Sequence, residues 1–145
     1  MKLILFGGSF NPIHTGHIEL ARLALHELKY DKLIFMPTFI SPFKMDSKGF
    51  DLIAPIDRLN MVKSAIRGFS HFETSAYEIH KEEISFTIDT VLYLYEYYEK
   101  KGQKIEGKIA LLIGSDNLRD IPKWKDYEKL LELCDFVVAK RGNDS

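Results

Sequence analysis

Residues 7–17 read Gly7-Gly8-Ser9-Phe10-Asn11-Pro12-Ile13-His14-Thr15-Gly16-His17, and the fold follows from what bounds this stretch on either side. Before it lies a short apolar run, Leu3 to Phe6; after it Ile18, Ala21, Leu25 and Leu28 recur at helical spacing. The pattern is strand, glycine turn and helix start, with the helix beginning near Thr15. Adjacent glycines let the backbone approach an anion closely. A helix start aims unpaired N–H groups and a positive dipole end at the same point. His14 and His17 flank that point three residues apart, about one helical turn, so both can face a single ligand. Either histidine taken alone would read more simply as a cap or a packing residue.

Working outward, strands and helices alternate, which predicts an α/β, Rossmann-like, doubly wound parallel sheet of about five strands with helices on both faces. Lys32 to Pro37 is a second strand, followed by a loop from Thr38 to Phe50 without a clear period. Pro55 starts a helix whose apolar stripe is Leu59, Val62 and Ile66, with Gly68 as its stop. A third strand is expected from Phe72 to Ile79. Ser85-Phe86-Thr87 then leads into a helix carrying Ile88, Val91, Tyr95 and Tyr98 and ended by Gly102. Lys108 to Ile113 is a continuous apolar strand, and Gly114-Ser115-Asp116 closes it where a doubly wound sheet binds ligands. A loop holding Trp124, a helix from about Asp126 and a strand from Asp135 to Ala139 complete the pattern.

Composition narrows the function. The 145 residues suit one domain, and a 46% hydrophobic content suffices for a core. A net charge of −1 supplies no field for nucleic acid or an anionic membrane, so a phosphate ligand must be held by a local cluster of donors and the partner is a small molecule. Cys134 is the single cysteine, which fits a reducing compartment and, within LLELCDFVV, core packing. No run is long enough for a signal peptide or a membrane span, so the expected location is cytoplasmic. No dedicated metal cage is visible.

The Gly7–His17 string fits neither G-x-G-x-x-G nor G-x-x-x-x-G-K-[ST]. It resembles the G-G-[ST]-F-[DN]-P-x-H-x-G-H signature of the nucleotidyltransferase superfamily, and within it the bacterial nicotinate-nucleotide adenylyltransferases. The resemblance implies that Gly7, Gly8, Ser9, Phe10, His14 and His17 bind ATP, with His14 and His17 holding its triphosphate. PTFISPFK resembles P-x-x-x-P-P-H-K and implies that Lys44 contacts phosphate; Ser41 and Phe43 depart from that pattern, and a solvated surface charge is the competing reading. SFTIDT resembles S-Y-T-x-D-T, with Phe86 for tyrosine, and implies a nicotinate carboxylate near Thr87 and neighbouring N–H groups; an ordinary helix cap competes.

Gly114-Ser115-Asp116 resembles G-[AS]-D, whose aspartate contacts a nucleotide ribose. PKWKDYEKL resembles W-x-x-Y-x-x-L, whose tryptophan, here Trp124, stacks on the pyridine ring; a core plug is the alternative. Arg141 matches an arginine after the last of these strands, without the usual R-P-G context. Five motifs in family order imply adenylyl transfer from ATP, with Mg²⁺, to nicotinate mononucleotide, giving deamido-NAD and pyrophosphate, with His14, His17 and Lys44 in the catalytic role. A homo-oligomer is one expectation for the assembly, and the sequence does not fix the oligomeric state. The family's I-S-S-T-x-I-R-type segment is not among the 145 residues, so the resemblance leads one to expect a single domain over 1–145, shortened or truncated at its C-terminus. A pantetheine-phosphate or cytidylyl transferase, and a nucleotide-binding module without turnover, remain as alternatives.

Overall fold

Leu3–Gly8 forms β1, the central strand of the sheet, in a computed structural model that describes residues 1–39 and 53–140. Helix α1 (Thr15–Leu28) leads to β2 (Lys32–Pro37), α2 (Pro55–Ala65) to β3 (Phe72–Thr74), and α3 (Tyr77–Lys81) with α4 (Thr87–Lys100) to β4 (Ile109–Gly114). Helix α5 (Tyr127–Leu133) runs directly into β5 (Cys134–Ala139). All pairings are parallel and the order is β3-β2-β1-β4-β5, the doubly wound α/β architecture.

Strand alternation explains the layers. Leu3 and Leu5 of β1, Ile34 and Met36 of β2, and Ile109 and Leu111 of β4 face one core, closed by Ile88, Val91, Leu94 and Tyr98 of α4 and Leu130 of α5. Ile4 and Phe6, Leu33 and Phe35, and Ala110 and Leu112 face the other, closed by Ala21 of α1 and Val62 of α2. Because side chains alternate with period two and both faces are covered, these strands are apolar almost throughout, Lys32 at the start of β2 being the exception. The chain proceeds outward from β1 to β3 with its helices on one face, then returns to β4 and continues outward the other way with helices on the opposite face. Crossovers of one hand require that change of face when the direction reverses. The reversal opens a crevice at the C-terminal ends of β1 and β4.

The third strand is shorter than its pattern suggests. Pairing with β2 stops at Thr74, whose Oγ1 donates to the Phe35 carbonyl at 2.9 Å. Ser75 Oγ then accepts from the Tyr77 N–H at 3.1 Å, which turns the chain into α3, so Tyr77 to Ile79 is helical rather than extended. Strand and helix both bury Phe72 and Ile79, which is why periodicity alone did not separate them. The tyrosines of α4 divide as packing suggests: Tyr98 is buried, and Tyr95 donates to the Leu133 carbonyl at 2.6 Å and accepts from the Ile109 N–H at 3.0 Å. Cys134 is a buried free thiol, and burial pushes its pKa up to about 12. No helix among the described residues is long and apolar enough to cross a membrane.

Candidate active site

The crevice is a cleft of about 780 Å³ with α1 on one side and α4 on the other. On the α1 side, Gly7 to Phe10 carry β1 over the sheet edge. Phe10 has φ of +46°, a left-handed backbone that a non-glycine residue rarely adopts. Its buried ring holds it there, edge-on to Phe6 at 5.3 Å and to His17 at 5.1 Å. Phe10 thus offers a ligand its backbone, while its ring is core. The Asn11-Pro12 peptide is cis, and Asn11 Oδ1 accepts from the Ile53 N–H at 2.7 Å.

His14 is the N-cap of α1 and uses Nδ1 to accept from the Gly16 N–H at 3.0 Å. His17 Nδ1 accepts in turn from the His14 N–H at 3.1 Å, so the rings form a reciprocal cap and stack with centroids 3.8 Å apart. Occupied Nδ1 lone pairs assign the hydrogen of each neutral imidazole to Nε2. The stacked pair therefore carries two Nε2–H groups beside a helix start, a chemistry that fits oxygens of a polyphosphate. Gly16 makes this possible, because a Cβ there would lie 2.8 Å from His14 Cε1.

On the α4 side the cleft is lined by Glu78, Ser85, Phe86, Thr87, Thr90 and Trp124. Phe86 is the N-cap of α4 and makes no side-chain cap, so Thr87 occupies the first helical position rather than the cap itself. Ser85 Oγ is buried and has no hydrogen-bond partner among the described residues. Trp124 is half-buried against the core that α4 closes and also lines the cleft. Glu78 is buried, and its Oε2 accepts from Thr90 Oγ1 at 2.6 Å. Burial pushes its pKa up to about 7, against the opposing pull of that hydrogen bond and of Lys81.

Gly114 ends β4 and Asp116, exposed in the turn that follows, lines the cleft between the two sides. The structure brings together Gly7, Gly8, Ser9, Phe10, His14, His17, Thr87, Gly114, Asp116 and Trp124 around one cavity. Lys44 and Arg141 lie outside the described residues. Lys123, Lys125 and Lys140 also line the cleft, as do the acidic Glu19, Glu78 and Asp116, so it carries charges of both signs. Lys125 had a signal in its place beside Trp124, and its ammonium sits over the Phe86 ring at 5.0 Å.

Arg58 gave no signal. It lies in α2 next to the apolar stripe yet is fully buried, donating Nε to the Ile53 carbonyl at 2.8 Å and Nη1 to the Ser9 and Thr38 carbonyls, each at 2.7 Å. Nη2 donates to the Phe39 carbonyl at 3.1 Å. One guanidinium thereby joins the glycine turn to the end of β2.

The model of the cytidylyltransferase-like family matches residues 5–143. A probable nicotinate-nucleotide adenylyltransferase from Treponema pallidum is 40% identical over 141 residues, covering 97% of this chain and 66% of its own length. A probable nicotinate-nucleotide adenylyltransferase from Aliarcobacter butzleri is 37% identical over 98% of this chain and 72% of its own. The chain thus spans about two thirds of the length of such relatives. Among solved structures, the Plasmodium falciparum nicotinic acid mononucleotide adenylyltransferase complexed with NaAD superposes with a TM-score of 0.76 at 22% identity, over all of this chain and 67% of that one, which is a likeness of fold. The β1 turn with its histidine pair, the strand order and this agreement along the chain converge: the chain belongs to the cytidylyltransferase-like family, among the relatives named nicotinate-nucleotide adenylyltransferase.

Proposed function

We propose that the chain transfers the adenylyl group of ATP to nicotinate mononucleotide, forming deamido-NAD and pyrophosphate in cytoplasmic NAD biosynthesis. The stacked pair of Nε2–H donors at the start of α1 carries this reading, since it offers a triphosphate a built seat facing the α4 side of the same cleft. In the reaction a phosphate oxygen of the mononucleotide attacks the α-phosphorus. The bond from that phosphorus to its bridging oxygen breaks, and pyrophosphate leaves with the electron pair. No protein nucleophile is needed: the site positions two anions in line and stabilises charge on the leaving group.

His14, His17 and the turn backbone would hold the leaving oxygens, with Lys44 as a further cation and Mg²⁺ arriving as part of the MgATP substrate. Asp116 suits a ribose, because a carboxylate accepts from vicinal hydroxyls. Thr87 and the unpaired N–H groups of α4 suit the nicotinate carboxylate, Trp124 the pyridine ring, and Arg141 a phosphate.

This division of the cleft is tested by Trp124→Ala. Loss of ring stacking is expected to weaken nicotinate mononucleotide by about 1–3 kcal/mol and to leave ATP nearly unaffected. Calorimetric titration of both ligands measures it, and equal weakening would return Trp124 to a purely structural role.

A further inference from the structure

We propose that Glu78 sets the charge of the pyridine substituent that the α4 side of the cleft accepts, admitting the acid when its carboxyl is neutral and the amide when it is ionised. The inference rests on the pyridine-nucleotide reading above. It stands first on geometry. Glu78 lines the cleft while being 93% buried, at 7% exposure, and only its Oε2 is engaged among the described residues, by the Thr90 hydroxyl. Beside it in the cleft wall, Ser85 Oγ is equally buried and lacks a partner among the described residues, and Thr87 opens the 14-residue helix α4. Two polar side chains with unspent hydrogen-bonding capacity are thus buried at a helix start, where an uncompensated polar group is costly.

The consequence depends on proton position. With Thr90 donating to Oε2, a neutral Glu78 carries its hydrogen on Oε1 and donates to a carboxylate. Ionised, the same oxygen only accepts: it repels a carboxylate and receives an amide N–H. Burial places this change near neutrality, at about 7. Lys81 on the same helix favours the anion. Of the ionisable groups on β2 and α4, Lys32 is paired with Glu73 at 2.7 Å and Lys100 with Glu96 at 2.8 Å, and α4 also carries Asp89, Tyr93, Tyr95, Tyr97, Tyr98 and Glu99.

Calorimetric titration of the chain with nicotinate mononucleotide and with nicotinamide mononucleotide, at pH 6 and pH 8, tests this. The phosphate is common to both mononucleotides, so its own titration cancels in the ratio of affinities. That ratio, acid over amide, is expected to fall at least about tenfold from pH 6 to pH 8, as a carboxyl centred near 7 ionises. Glu78→Gln should abolish the fall. Thr90→Val, which removes the hydrogen bond favouring the anion, should move it to higher pH; circular dichroism confirms that both variants fold. A ratio that does not change with pH, or one that falls equally in Glu78→Gln, would overturn the role of Glu78 while leaving the pyridine-nucleotide site in place. Absence of binding by either mononucleotide would overturn that site and this inference together.

Discussion

Replacing His17 with alanine is expected to lower kcat for adenylyl transfer by roughly 10²–10³, the loss that follows removal of one preorganised oxyanion donor. The side chain has two duties that must be separated. Its Nδ1 accepts from the His14 N–H at 3.1 Å, which is a capping interaction. Its Nε2–H is the donor that the proposed mechanism assigns to the leaving oxygens. Loss of the cap costs about 1 kcal/mol of stability and leaves the fold standing. His17→Asn can retain an acceptor for the His14 N–H while lacking a donor at the Nε2 position. If both variants lose turnover and the asparagine variant keeps the wild-type Tm, the donor is the catalytic element; wild-type kcat in either would remove His17 from the mechanism.

The second large effect is on stability. Arg58→Met is expected to destabilise the fold by about 3–5 kcal/mol, because it strips the donors from a set of carbonyls that a fully buried guanidinium satisfies. Methionine fills much of the volume but donates nothing. The damage should be local as well as global, since Ser9 in the glycine turn and Thr38 after β2 share one Nη1. Arg58→Lys retains the charge but cannot reproduce the planar fork, so it should restore only part of the loss. Chemical denaturation measures both variants. A loss below about 1 kcal/mol for Arg58→Met would mean that the carbonyls find other donors.

These two residues show why part of the site is legible in the sequence and part is not. His14 and His17 are readable because the strand, the glycine pair and the helix that set their geometry are all within eleven residues of one another in the chain. The switch point after Gly114 is readable for the same reason, as the end of an apolar strand. Arg58 and Glu78 are not, because their partners come from other elements: Ser9 and Thr38 for the one, Thr90 for the other. Each lies beside apolar neighbours and, without those partners, reads as a solvated charge on a helix.

The short β3 failed to declare itself because Phe72, Thr74 and Ile79 fit a strand until the Ser75 hydroxyl turns the chain into α3. Trp124 reads as a pyridine platform with a core plug as the alternative, and its ring lies against both the core and the cleft.

The most direct test of adenylyl transfer by this chain is pyrophosphate release with ATP and Mg²⁺, offered nicotinate mononucleotide, nicotinamide mononucleotide or phosphopantetheine in turn. Release with a pyridine mononucleotide and none with phosphopantetheine is the predicted result. Release with phosphopantetheine alone, or none with any of the three, would contradict it.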